Sequence, residues 1–556
     1  MIVNGKLRLE ELLKERILKA LMSLAEESGK QIPEGTELEM EIPRDTSVGD
    51  LSTNTAMKMA KTFGMAPRML AEKICEKAGS FPYTDRTEIA GPGFINFYIS
   101  HSYLEEELGE ILEKKEDYGT IVLEEPKTVV VEYVSANPTG PLHIGNARGG
   151  AIGDVIANIY KKAGWTVAKE FYLNDAGNQV VKFGESLYAR YRQIDEPDYP
   201  MPENAYMGDD ITAQAREFRD KFPESTGWER EELKEKLCDY ALKANIDNMH
   251  KVLSRYGIDY DLWFSESGLH EGHLIDDAID ILRKNGAVYE KDGAVWFRAS
   301  DYEGCDKDEV LIRANGIPTY YAADIAYHLN KLYTRGFDMA VNVWGADHHG
   351  HVQRLKMALK ACGIDPSRLE IILMQLVHLV KGNESVRLSK RRGDAVTLDE
   401  LLSEVPVDAV RYIFNTSTPN SHMEFDLDLA VKQSNDNPVF YVQYAHARIC
   451  SILRNIPYTE AKADYSLLTD KTETALLMKM TDYSQEIMKA LDEYDPSKVT
   501  KYAYDLASLL HSFYNVCRVK NDVPELQNAR LDLVKACGFV LRSALSVLGV
   551  TAPEEM

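Results

Sequence analysis

His143 and Asn146 stand three residues apart in the stretch SANPTGPLHIGNARGG, residues 135–150. The run before it, TVVVEYV, is β-branched and apolar. The pattern predicts a buried strand ending near Val134, a turn with two prolines and Gly140, and a helix starting near His143. On such a helix His143 and Asn146 share one face of the first turn. That turn leaves N–H groups unpaired and carries the positive end of the helix dipole, so it attracts phosphate. Gly140, Gly145 and the pair Gly149-Gly150 let backbone or ligand approach closely. A capped strand-to-helix turn with a surface histidine has the same pattern, and the stretch alone does not separate the two.

Three further stretches hold residue types that do chemistry. VRLSKRRGD, residues 386–394, places Ser389 and Lys390 before Arg391 and Arg392. A basic loop of this kind either is a solvated patch or brings cations to a phosphate charge as it develops. WGADHHGHVQRL, residues 344–355, holds Asp347, His348, His349 and His351. These suit a metal or a polar nucleotide pocket, but the H-E-x-x-H spacing and a cysteine pair are absent, which favours the pocket. FYLNDAGNQ places Asn174 and Asp175 after another apolar run, as helix caps or as site residues.

The elements that must position them follow from the apolar runs. KTVVVEYV, TVAKEFYL, DMAVNVWG and EIILMQLVHLV are short and nearly continuous, as in parallel strands buried on both faces. All four candidate stretches lie just past the carboxyl end of such a run, where open α/β sheets bind ligands. Between about 185 and 300 the texture changes to charged helices and a hairpin, AVYEKDGAVWF, turning at Asp292-Gly293, so this region reads as an insertion. A second hairpin turns at Asn315-Gly316. Residues 1–118 hold amphipathic helices and the alternating strand GPGFINFYIS. From 401 to 556 the pattern is helical throughout and predicts a bundle. The expectation is a multidomain α/β protein. It has a parallel-sheet domain over 119–400 with an insertion, a small α+β N-terminal domain and an all-α C-terminal helix bundle.

Composition limits the function classes. A chain of 556 residues exceeds one core, and 44% hydrophobic with 27% charged residues is ordinary for a globular protein. The start lacks the apolar core of a signal peptide and no run is long enough to span a membrane, so a cytoplasmic protein without membrane contact is expected. Seven scattered cysteines argue against a disulfide framework and a cysteine-based structural zinc site. The net charge of −24 counts against a polyanion partner unless its contacts are gathered on one face.

With these residues in view, the chain resembles the class I aminoacyl-tRNA synthetases. HIGN is similar to their His-Ile-Gly-His signature and RLSKR to Lys-Met-Ser-Lys-Ser, in the same order and divided by an inserted segment. Within that class it resembles arginyl-tRNA synthetases over nearly its full length. EYVSANPTGPLHIGNARGG, YLNDAGNQ, PTYYAADIAYH, WGADHHGH, DAVRY, NPVFYVQYAHARI and a final methionine carry this resemblance. Two positions depart from the signatures: Asn146 replaces the second histidine and Arg387 the first lysine. An amide still donates and accepts hydrogen bonds, and arginine keeps the charge with a different geometry.

The resemblance implies a Rossmann-like catalytic domain and ATP-dependent activation of L-arginine, with Mg²⁺ accompanying ATP. Arginine then passes to the 3′ end of its tRNA, releasing AMP and pyrophosphate, and activation needs the tRNA present. It assigns His143, Asn146 and Lys390 to catalysis, and Gly140, Gly145, His351, Arg387 and Ser389 with them to ATP. Glu132, Asn137, Tyr320 and Asp324 would hold arginine, with Asp347 or His348 as a further contact. A carboxylate is the natural partner of a guanidinium, although Glu132 and Asp324 could equally form internal salt bridges. Asn96 and Tyr98 would meet the tRNA elbow. Tyr441, Tyr444 and Arg448, on one helix, and Met556 would meet the anticodon, unless the tyrosines are bundle core. The expected state is a monomer.

Overall fold

The structure, a computed structural model, describes residues 2–3, 6–7, 9–33, 35–36, 38–41, 43, 48–382, 384–385 and 396–556. Its first unit packs helices Leu9–Ser28, Thr55–Phe63 and Pro67–Ala78 against an antiparallel sheet with strand Phe94–Ile99 between Leu51–Thr53 and Thr84–Ala90. Ile95, Phe97 and Ile99 enter its core, as the alternation predicts.

The central unit is a five-stranded parallel sheet. In chain order its elements are strand β1 (Thr128–Glu132), helix α1 (Ile144–Lys162), β2 (Thr166–Leu173), α2 (Gly177–Arg192), α3 (Asp209–Lys221), α4 (Arg230–Arg255) and β3 (Leu262–Ser265). Then come α5 (Tyr320–Leu329), β4 (Met339–Gly345), α6 (His349–Ala361) and β5 (Leu369–Met374). The strand order is β5-β4-β1-β2-β3, so the chain reverses direction across the sheet between β1 and β4. Val129 and Val131 face the core under α1, whereas Val130 faces the core under α5 and α6. Helix α1 comes unusually close to the sheet. A Cβ at Gly153 would sit 2.2 Å from the ring of Tyr133, so only glycine fits.

Two expectations need correction here. The insertion is not one block, because β3 divides it: α2, α3 and α4 form a helical unit with a core of their own before β3, and a three-stranded sheet follows after it. β3 escaped notice because LWFS is four residues long and half exposed. EIILMQLVHLV is also two strands. It breaks at Gln375-Leu376, and the second half, β6 (Val377–Lys381), joins a separate sheet. The Asp292-Gly293 hairpin forms, with Lys291 opposite Ala294 and positive φ at both turn residues. At Asn315-Gly316 the chain also turns back on itself: Arg313 N–H donates to the Ile317 carbonyl at 3.0 Å and Thr319 N–H to that of Leu311 at 2.8 Å, around an antiparallel bridge between Ile312 and Pro318.

Beyond the sheet come α7 (Val407–Phe414) and β7 (Met423–Asp426), which pairs in parallel with β6. The helical region then holds α8 (Pro438–Asn455), helices Lys471–Thr481 and Tyr483–Asp492, α9 (Ser497–Val516) and α10 (Pro524–Val547). One continuous core runs from the α1 side of the sheet into this bundle. Among the described residues no helix is long and apolar enough to cross a membrane.

Candidate active site

After β1 the chain turns through Val134 and Ser135 at φ of 70° and 32°. A β-branched residue in the left-handed region is strained, and the strain sits where the chain must turn above the sheet edge. The Ser135 hydroxyl ties the turn down, donating to Glu132 Oε1 at 2.9 Å and accepting from the Tyr172 N–H at 3.1 Å. His143 is the N-cap of α1, and its backbone N–H donates to Asn146 Oδ1 at 2.9 Å. Asn146 therefore fastens the helix start on which His143 stands. Gly149 and Gly150 are buried against the core, so of the glycines in this stretch Gly140 and Gly145 are the ones open to a ligand.

The stretch holding Arg387, Ser389 and Lys390 lies outside the described residues. The residues that follow it dock on the same helix start: Ile144 N–H donates to the Val396 carbonyl at 3.0 Å, and Leu398 N–H to that of Leu142 at 2.7 Å. Beside the turn lies a cavity of about 610 Å³, lined by Asn137, Gly140, His143 and Asn146 on one side and by Tyr206 and Met207 on the other. Tyr206 comes from the first insertion. Its hydroxyl accepts from Thr139 at 3.2 Å and donates to Gln179 at 2.7 Å, while Asn245 donates to the Pro138 carbonyl at 2.8 Å. The inserted helices thus grip the turn at two successive residues.

Carboxylates collect at the same sheet edge. Glu132 ends β1, Asp175 follows β2, Glu266 follows β3, and Asp324 lies on α5. Burial, with Asp324 and Asp175 close by, pushes the Glu266 carboxyl up to about 7. The other three acids have internal partners: Asp175 accepts from the Ser265 hydroxyl at 2.7 Å and the Ser267 N–H at 2.9 Å, and Glu132 and Asp324 meet cationic or imidazole groups. Lys331 Nζ lies 2.5 Å from Glu132 Oε2, and His351 Nε2 lies 2.7 Å from Asp324 Oδ2. A hydrogen-bonded chain joins these pairs: Lys331 donates to Asn342 Oδ1, Asn342 Nδ2 to His328 Nε2, and His328 Nδ1 to the Asp324 carbonyl. Buried and near Lys331, His328 is pushed down to about 3 and stays neutral, as this chain requires. Glu170, also buried, is held low by Lys331, Arg335 and Tyr327 against the burial that would raise it.

The structure places the expected residues as follows. Glu132, Asn137, His143, Asn146, Tyr320, Asp324 and His351 gather along the carboxyl edge of the sheet, with the Tyr320 ring 5.5 Å from that of His351. His351, expected at ATP, is hydrogen-bonded to Asp324. Asp347 and His348 are exposed at the end of β4, 3.7 Å apart. Asn96, expected on the surface, is buried, and its Oδ1 accepts from Ser52 because the neighbouring strand covers it. Tyr98 keeps an exposed edge, with Arg86 3.9 Å over its ring. On α8, Tyr444 is exposed, Arg448 stacks 4.0 Å over Tyr514, and Tyr441 packs 4.8 Å from Tyr504. Met556 borders the same groove.

Sequence reasoning missed Glu266, because the strand before it went unread, and Lys331, because NKLYTRG reads as a solvated helix end. It also missed Tyr504 and Tyr514, which α9 brings beside α8. Among the described residues no three His, Cys, Asp or Glu side chains are grouped to hold a metal.

Comparison with known proteins agrees with this geometry in all three regions. Residues 107–434 match the model for the catalytic domain of class I (R) tRNA synthetases. Residues 9–99 match the arginyl tRNA synthetase N-terminal domain, and 442–556 the DALR anticodon binding domain. The chain is 49% identical to an arginine–tRNA ligase of Caldanaerobacter subterraneus, covering 98% of this chain and 99% of that one. It is 42% identical to that of Shouchella clausii over the whole of both. Among solved structures, Thermus thermophilus arginyl-tRNA synthetase superposes with a TM-score of 0.78 at 24% identity, covering 98% of this chain and 99% of that one. The Plasmodium falciparum enzyme does so with 0.74 at 18% identity, covering 98% of each.

Proposed function

The chain belongs to the arginyl-tRNA synthetase family and is an arginine–tRNA ligase, and from that premise we propose how its residues divide the work. The observation that carries the division is the gathering of Glu132, Asp175, Glu266 and Asp324 beside the N-terminus of α1. Acids there select a guanidinium, while the helix end receives phosphate.

Arginine lies with its guanidinium toward Glu132, Asp324 and Glu266, with its side chain along Tyr320 and its backbone end toward Asn137. Asp347 or His348 closes the pocket. His351 is a positioning residue that aims Asp324. ATP, entering with Mg²⁺ as its counter-ion, lies along Gly140, His143, Gly145 and Asn146. The arginine carboxylate attacks the α-phosphorus, the bond to the β-phosphate oxygen breaks, and pyrophosphate leaves. The protein positions the reactants and neutralises charge, with Arg387, Ser389 and Lys390 supplying cationic and hydroxyl groups to the departing pyrophosphate. A hydroxyl of the terminal tRNA ribose then attacks the arginyl carbonyl carbon and AMP leaves.

The tRNA spans three regions of one chain: residues 1–118 with Tyr98 toward the elbow, 119–400 at the acceptor end, and 401–556 at the anticodon. On the last, Tyr444, Arg448 and Met556 face the bases, and Tyr441 supports them through Tyr504. Asn96 shapes the N-terminal sheet through Ser52. The enzyme acts as a monomer, in the cytoplasm. ATP–pyrophosphate exchange with each amino acid, with and without tRNA, tests the assignment. Exchange is expected with arginine and tRNA together; exchange with another amino acid would overturn it.

A further inference from the structure

Arg411, on α7, is completely buried, and its guanidinium joins three helices. Nη2 lies 2.5 Å from Asp154 Oδ2 on α1. Nη1 donates to the Tyr256 carbonyl at 3.2 Å, just past the end of α4. Nε donates to the Leu548 carbonyl at 3.3 Å, just past the end of α10. Helix C-termini present unpaired carbonyls and the negative end of the dipole, so one guanidinium satisfies two helix ends and a carboxylate. Burial would raise Asp154, but Arg411 and Lys169 hold it below the usual carboxylate range. The fit is tight: a Cβ on Gly549, which has φ of 63°, would fall 2.0 Å from Arg411 Nη2.

One turn earlier on α7, Asp408 makes a second junction. Its Oδ1 accepts from the Thr551 N–H at 3.2 Å, and its Oδ2 from the Thr551 hydroxyl and from Gln443 Nε2, the latter at 2.7 Å. Gln443 lies on α8 between Tyr441 and Tyr444. Beyond Thr551, the C-terminal segment follows α8, with His446 donating to the Pro553 carbonyl at 2.9 Å and Arg454 3.3 Å from Glu555. Helix α7 therefore holds α8 and the C-terminal segment through Asp408, and α1 through Arg411.

We propose that Asp408 and Arg411 are positioning residues that couple the α8 face to the helix carrying His143 and Asn146. This rests on the reading of that face as the anticodon site. The two junctions stand at i and i+3 on one helix, so they move together. A guanidinium fork has fixed geometry and a close-packed interior does not deform gradually. A shift of α8 and the C-terminal segment on binding bases thus reaches α1 as a change of seat.

The test compares arginylation of the cognate tRNA and of an anticodon-substituted transcript by the wild-type chain and by Thr551→Val, Asp408→Asn and Arg411→Lys, with Tm recorded for each. The Thr551 residue is exposed, so its variant keeps the test open if the buried arginine variant fails to fold. In the wild type the anticodon substitution lowers kcat as well as raising KM. In Thr551→Val and Asp408→Asn the kcat ratio between the two tRNAs shrinks at least about fivefold, the low end of ordinary coupling. Their activity on the substituted transcript stays within about twofold of wild type. A kcat ratio unchanged in variants of normal Tm overturns the coupling, as does a wild type that responds in KM alone. A wild type indifferent to the anticodon in both constants overturns the reading of the α8 face, and the coupling with it.

Discussion

Lys331 sets its ammonium 2.5 Å from Glu132 Oε2 in a position closed to solvent, so the acid assigned to arginine is also half of a buried ion pair. Glu132→Gln leaves that ammonium with Glu170, 3.7 Å away, as its remaining carboxylate partner and is expected to cost up to about 3–5 kcal/mol of stability, the range for breaking a buried pair. It also abolishes arginine activation while ATP binding remains. The double variant Glu132→Gln/Lys331→Met separates the two roles: it regains most of the Tm without regaining activation. Thermal unfolding alongside pyrophosphate exchange checks this, and wild-type kcat/KM for arginine in the double variant would make Glu132 purely structural.

The pH dependence of arginine binding follows from Glu266. Its carboxyl, pushed up to about 7, is protonated in the free enzyme below that pH. A guanidinium favours the charged form, so arginine and the proton compete. KM for arginine is expected to rise as pH falls through 7, by no more than about tenfold per pH unit for one proton. Steady-state kinetics between pH 5.5 and 8.5 (roughly 1.5 units on either side of 7, where a single group completes its titration) should show the rise. Glu266→Gln should flatten it.

Asn146 gives a separable pair of variants. Asn146→Ala removes the acceptor of the His143 N–H and is expected to cost about 1 kcal/mol of stability together with a fall in kcat. Asn146→Asp keeps the oxygen acceptor and regains the Tm, but it puts a negative charge beside the phosphates and leaves kcat low. Equal kcat in the aspartate variant and the wild type would confine the residue to helix capping.

Lys390→Ala is expected to lower kcat more than it raises KM for ATP, because the charge it meets develops on the leaving pyrophosphate. Val396 and Leu398, docked on the helix start, fix where that segment returns. Single-turnover rates of adenylate formation measure the effect, and a change confined to KM would restrict the lysine to ground-state binding.

The sequence made some parts of this architecture legible and hid others for physical reasons. β1 and β4 are buried over most of their length, so their runs are nearly all apolar and visible, whereas β2 is half-buried and reads as a strand despite Lys169 and Glu170 in its middle. The run through Gln375-Leu376 looks equally continuous, yet Leu376 is 69% exposed where the chain passes between sheets, and hydrophobicity carries no mark of that change. The residues at strand ends could be listed from their motifs because the sheet brings strand ends together. Whether Glu132 meets a substrate or an internal cation could not be read, since Lys331 approaches from nearly two hundred positions away. The alternation of β-residues placed Asn96 with Tyr98, but periodicity does not tell when a neighbouring strand covers one of them.

The strand order has a consequence for how the chain is made. β1, in the middle of the finished sheet, pairs on one side with β2 soon after synthesis, but its other neighbour is β4, with Val129 opposite Met339. At ordinary translation rates of about 5–20 residues per second, that edge stays open for roughly 10–40 s. Throughout this interval the ribosome carries a half-sheet whose free edge is one of its most apolar strands. Synthesis that stalls before residue 339 leaves a product prone to aggregation, and the nascent chain in that window is a substrate for chaperones that hold exposed strands.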